Sequence, residues 1–205
     1  MSEEVAQSYT HIGQSLAEII AKISLLLYQK EEFRKLIEYD AISRTEQDRI
    51  FNELQVSFLG LMILYLENLD KDLKSQLKTN LSIPKIIDSL ISGFLTMYRE
   101  LGVNEQLIKM WNSLIEMRLT EYREDFQIAL NESKNLPNFK KGNEGLAVRW
   151  ARTETITIDC ATHIRKGKFP LKDPIRECLM EWFINTESIF ADTVKKAIFE
   201  PKAQS

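Results

Sequence analysis

Apolar residues recur along this chain at intervals of three and four nearly throughout, the spacing of one face of an α-helix. Leu16, Ile19, Ile20, Ile23, Leu26 and Leu27 draw a stripe on a first helix predicted over 2–28. A shorter segment through Phe33, Leu36 and Ile37 follows. Ser43 and Glu46 make a Ser-x-x-Glu capping box, in which side chains satisfy the free N–H groups of a helix start. The helix it opens is expected to reach Leu77, with Ile50, Phe51, Leu54, Phe58, Leu61, Met62, Tyr65 and Leu69 as its stripe. Leu59, Ile63, Leu64 and Leu66 widen that stripe far beyond one face, which predicts a central helix.

Ser82 and Pro84 open a fourth helix, with Ile87, Leu90, Ile91, Phe94, Tyr98 and Leu101 inward and Gly102 closing it. Asn104 can cap a fifth, predicted over 105–133 with Leu107, Trp111, Leu114, Ile115, Leu119, Tyr122, Phe126 and Leu130 inward. Asn143 caps a sixth, ending near Arg165, between polar loops at 134–142 and 166–172. Asp173-Pro174 is a strong start signal for the last helix, a capping carboxylate followed by proline at the first helical position. No repeat of fixed period appears. The expected fold is an all-α, single-domain antiparallel bundle of six to seven helices without a sheet. Its core is expected in 1–133, with a basic loop-helix-loop segment (134–172) and a C-terminal helix (173–200) packed onto it.

Composition sharpens this picture. Seven Gly and five Pro in 205 residues are about half the ordinary usage. β-sandwiches, barrels and Gly-rich nucleotide-binding folds spend those residues on turns and are disfavoured. A 44% hydrophobic share excludes a disordered chain. Cys160 and Cys178 are too few for a disulfide framework, so a reducing cytoplasm is the expected setting. The acidic, polar N-terminus does not read as a secretory signal. The longest apolar run, Val56 to Leu66, is about half of the roughly 20 residues a bilayer requires, so no membrane partner is expected.

The net charge of −3 hides an asymmetry. Residues 1–133 hold 14 Lys+Arg against 21 Asp+Glu, whereas 134–176 hold 10 against 4. Lys140, Lys141, Arg149, Arg152, Arg165, Lys166 and Lys168 in that basic segment are candidate anion ligands. The plainer reading is that they pack against the acidic bundle or form a solvated face. No helix-turn-helix, RRM or zinc-finger pattern accompanies them, which disfavours nucleic acid.

On a helical wheel the sixth helix places Ala147, Trp150, Ala151, Ile158, Ala161 and Ile164 on one face with Glu154 in its middle. Arg149, Arg152, Thr153, Asp159, Cys160 and His163 fall opposite. A lone buried carboxylate needs a partner. Arg118, on the apolar stripe of the fifth helix, is the first candidate, and Arg118, Tyr122, Asp125 and Glu154 together form a candidate polar ligand site. A structural ion pair fixing helix register is the plainer reading. Asp159-Cys160-x-x-His163 sets three metal-ligand types within a turn, but the chain lacks the remaining ligands for a closed site, so no metal or cofactor is expected. No nucleophile elbow, P-loop or dinucleotide fingerprint is present. The expected function is therefore interaction or regulation: binding a protein partner, or self-association as a homodimer. A ligand-binding or enzymatic bundle with a polar site between the fifth and sixth helices is the alternative, and phosphate or nucleic-acid binding by 134–176 a weaker one.

Overall fold

The local signals that open and close helices recur as bonds in a computed structural model of the chain, which describes residues 3–69, 74, 77, 81–133, 136, 144–167, 170 and 172–198. Among the described residues there are seven helices and no strand: α1 (Glu3–Gln29), α2 (Glu31–Leu36), α3 (Arg44–Glu67), α4 (Ile83–Glu100), α5 (Glu105–Ser133), α6 (Glu144–Ile164) and α7 (Pro174–Ile198). The molecule is an all-α helical bundle. The Ser43 hydroxyl accepts from the Glu46 N–H at 3.3 Å, and Asn104 Oδ1 accepts from the Leu107 N–H at 3.0 Å. Asp173 Oδ1 accepts from the Ile175 N–H at 2.9 Å, so the Asp-Pro start is a true cap. Gly102 takes φ 83°, a left-handed conformation that glycine adopts at no steric cost, and ends α4.

α3 stops at Glu67, well short of Leu77, because the Asn68 side chain donates to the Leu64 carbonyl at 2.9 Å and closes the last turn. The cap expected at Asn143 lies outside the described residues. Every α3 residue from Glu53 to Leu64 is buried, as a central helix requires. By length and composition α3 is the one described helix apolar enough to cross a membrane, and 78% of its apolar window is covered by the rest of the bundle.

The core is not a 1–133 bundle with α6 and α7 laid on it. A single cluster of buried side chains runs from Tyr9 on α1 to Ile198 on α7. α6 is a second central element, packed against α3, α5 and α7. Every residue from Ala151 to Thr157 is buried. Cys160, placed outward by the wheel, is fully buried, and Ile158, placed inward, is exposed. A helix flanked on three sides has no single inward face, so one hydrophobic phase cannot describe it.

α1 and α4 meet at small residues. A Cβ on Gly93 would lie 2.8 Å from the Gly13 backbone carbon, and one on Gly13 would fall on the Ser89 carbonyl. That proximity lets the Ser89 hydroxyl donate to the Tyr9 carbonyl at 2.5 Å and the Ser82 N–H donate to the Tyr9 hydroxyl at 2.8 Å.

Candidate functional site

A polar seam runs where α3, α5 and α6 meet. Arg118 on α5 forks onto Glu53 of α3, with Nε to Oε2 at 3.1 Å and Nη2 to Oε1 at 2.8 Å, and its Nη1 donates to Glu121 at 3.0 Å. Burial opposes the Arg118 charge, but the hydrogen bonds and charges of Glu53 and Glu121 leave its pKa above the ordinary value. One turn on, Tyr122 is fully buried, its hydroxyl 3.1 Å from Ser57 Oγ. Its ring fills the space that Gly60 leaves, 2.5 Å from where a Cβ would stand. The partner expected for Arg118 is therefore wrong: Glu53 holds it, not Glu154. Glu53 has a sequence signal that the apolar stripe concealed, an acid followed at helical spacing by Ser57 and Gly60, the line of α3 that receives α5.

Three further residues extend the seam. His163 Nε2 lies 3.2 Å from Glu121 Oε2, while Cys160 faces Ser57, and burial pushes its thiol up to about 12. The C-terminal carbonyls of α6 at His163 and Ile164 are capped by Arg49, at 2.7 and 2.8 Å. Asp159 stands among like charges, those of Asp125 and Glu121, and its Oδ2 is buried with no hydrogen-bond partner among the described residues. Burial, reinforced by Asp125 and Glu121, pushes Asp159 up to about 7.

This has a pH consequence. A carboxyl whose folded pKa exceeds its unfolded one binds more protons when folded, so its contribution is complete below about pH 4 and is lost as pH rises through 7. His163, which burial and then Arg118 push below its ordinary value, acts oppositely and favours the fold as pH rises through its range. The Asp159 contribution is isolated by comparison: Asp159→Asn is expected to flatten the fall in urea-denaturation stability between pH 5 and 8. Parallel pH profiles for the variant and the parent would refute the raised Asp159 pKa.

Glu154 points to the other side of α6, where it pairs with Arg176 of α7. The pair stands in a groove of about 570 Å³ between these helices, lined also by Trp150, Met180, Glu181 and Ile184. Arg176 is 28% exposed in its side chain and can turn to water. Glu154→Ala is expected to cost about 1–3 kcal/mol, less than the loss of a fully covered Arg118 partner would imply. Thermal melts of Glu154→Ala and Glu53→Ala side by side separate the two assignments.

Arg149, Arg152, Arg165 and Lys166 of the basic segment are engaged within the chain. Arg165 binds Asp173 through Nε at 2.9 Å and Nη2 at 3.1 Å. Lys166 lies 2.7 Å from Glu46. Hydrogen bonds from Arg49, together with Lys166, hold the Glu46 carboxyl down to about 2. Arg149 and Arg152 share Glu187 of α7, Arg149 at 3.1 Å. Burial lowers the Arg152 pKa to about 10, which leaves it a cation at neutral pH. Lys140, Lys141 and Lys168 lie outside the described residues. Glu187 and Arg176 carried no local signal, because each is one polar residue among many on an amphipathic helix.

One surface runs against the expected stripe. Leu107, placed inward by its spacing, is 45% exposed, and Met110 and Met117 are 61% and 48% exposed. With half-buried Leu114 they occupy one side of α5 on the turns before Glu121, the level at which the last turn of α6 meets α5. Among known protein families, curated proteins and solved structures, none matches this chain.

Proposed function

We propose that the protein is a helical interaction module that docks an amphipathic helix of a partner, or of a second copy of itself, on the outer face of α5. The observation that carries this reading is the row Leu107, Met110, Leu114 and Met117, exposed except at half-buried Leu114. Its steps of three, four and three residues are those of a coiled-coil seam. Exposed apolar rows carry a cost in water that a partner removes, and methionine adapts to varied surfaces. Two free buried cysteines, Cys160 and Cys178, support a reducing compartment such as the cytoplasm as the setting. Light scattering against concentration tests self-association, with a mass rising from 23.9 kDa and held at that value in Met110→Glu/Met117→Glu. A photo-crosslinking residue at position 110, against a control at 120, tests a different partner in the cell of origin. A constant mass together with no adduct specific to position 110 would overturn the proposal.

A second reading rests on the α6–α7 groove. Trp150, Met180 and Ile184 offer an apolar wall, and Glu154, Glu177 and Glu181 outnumber Arg176 on its lining. That combination suits a small aromatic cation, since indole faces and carboxylates both attract positive charge. Tryptophan fluorescence titrated with aromatic compounds of matched size and opposite charge tests it, with Trp150→Phe abolishing the response. The nucleic-acid reading gains no comparable support, since Arg165 and Lys166 already have carboxylate partners.

A further inference from the structure

On the opposite side of the α6–α7 pair, the end of α3 joins these helices around a groove of about 660 Å³. Its volume is typical of small-ligand sites. Two guanidiniums meet one carboxylate there. Arg152 takes Oε1 of Glu187 and Arg149 takes Oε2 at 3.1 Å, so both oxygens of that carboxylate are used. Arg149 Nη2 makes two further contacts, to the Ile184 carbonyl and the Ser188 hydroxyl, both at 3.2 Å, and neither brings charge.

Among the described residues the remaining charges do not restore balance. Glu67 is held by Arg123 at 2.6 Å. Glu144, exposed, and Lys74, whose ammonium donates to the Glu67 carbonyl at 3.2 Å, cancel one another. Among the described residues one positive charge is left over, shared by the two guanidiniums, and one of these is hard to solvate. Arg152 is 5% exposed in its side chain, and its Nε is buried with no acceptor among the described residues. A buried cation without its full complement of anions and acceptors is costly. The Tyr65 ring, 5.1 Å from the guanidinium carbon, holds this fork in place. Leu69, Val148 and Ala191 give the same groove apolar lining.

We propose that this groove binds an aliphatic carboxylate, its single negative charge received by Arg149 and Arg152 and its chain lying along Leu69, Val148 and Ala191. The leftover charge of one selects a monoanion, and the apolar lining selects a chain over a bare ion. Neither feature depends on the face of α5 or on the Trp150 groove.

Calorimetric titration of the full chain with octanoate tests the proposal. Octanoate is expected to bind at least tenfold more tightly than octanol or octylammonium, which lack the negative charge, and than acetate, which lacks the chain. Arg149→Met, at a side chain 42% exposed, is expected to weaken octanoate at least tenfold with the helical circular dichroism unchanged. Arg149→Lys, which keeps the charge but not the fork, supplies a second variant with an intermediate loss. Octanol binding as tightly as octanoate, inorganic phosphate binding as tightly, or full affinity in both Arg149 variants would each overturn it.

Discussion

Glu53→Ala is expected to lower the stability of this protein by about 3–5 kcal/mol, the usual consequence of stranding one member of a buried ion pair. The removed carboxylate accepts from both Nε and Nη2 of Arg118, and both side chains are almost wholly covered. Glu121 remains as a partner, but it is 40% exposed and takes only Nη1, so the rest of the guanidinium keeps its charge without its acceptors. In a chain of this size the loss corresponds to a fall of about 10 °C in Tm. A double variant, Glu53→Leu/Arg118→Met, is expected to recover most of it, because an apolar pair of similar volume replaces a buried pair at little cost. Urea denaturation of the single and double variants checks both statements. A single variant as stable as the parent would show that Arg118 finds water, and the assignment of this pair to the core would fall.

Gly13→Ala is the second large effect, and its sign opposes ordinary helix propensity. Alanine in place of glycine in a helix interior should add about 1 kcal/mol. Here the new methyl group falls on the Ser89 carbonyl, a backbone group that can yield only if α4 moves away from α1. Overpacking of this kind costs about 1–3 kcal/mol, and the displacement would also stretch the Ser89–Tyr9 and Ser82–Tyr9 hydrogen bonds. A net loss of about 2 kcal/mol is expected, with Gly93→Ala behaving alike because its Cβ would stand 2.8 Å from the Gly13 carbon. Gly145→Ala provides the control. It lies in the first turn of α6 with nothing within 4 Å of an added Cβ, so the change should be neutral or stabilising by up to about 1 kcal/mol. Thermal melts of the three variants decide the matter, and a stabilised Gly13→Ala would mean that the two helices do not touch there.

The contrast between these residues and the helix ends shows how far a sequence reaches. Ser43, Asn104, Gly102 and Asp173-Pro174 act on N–H and carbonyl groups a few positions away, so their roles follow from spacing alone. Gly13 and Gly93 meet the backbone of another helix, and Gly60 makes room for the Tyr122 ring, relations between distant positions that spacing does not reveal. Arg118 could be recognised as buried because it stands inside an apolar stripe, yet its partner lies 65 positions away. Leu107 failed in the opposite direction: its spacing is that of a core residue, but it is exposed beyond the level where α6 meets α5.

Periodicity, breaker scarcity and capping residues by themselves determined an all-α bundle, its helix order and most helix ends, because those features depend on bonds between residues three to five apart. Tertiary packing alone decided which charges meet. Glu53 with Arg118, Glu154 with Arg176, and Glu187 shared by Arg149 and Arg152 are chosen by how helices cross. Packing also decided that α6 is enclosed on three sides while one flank of α5 is left uncovered. A helix wheel knows its own polar residues but not the neighbours that will desolvate or neutralise them, and in this protein those neighbours define the polar seam and both grooves beside α6.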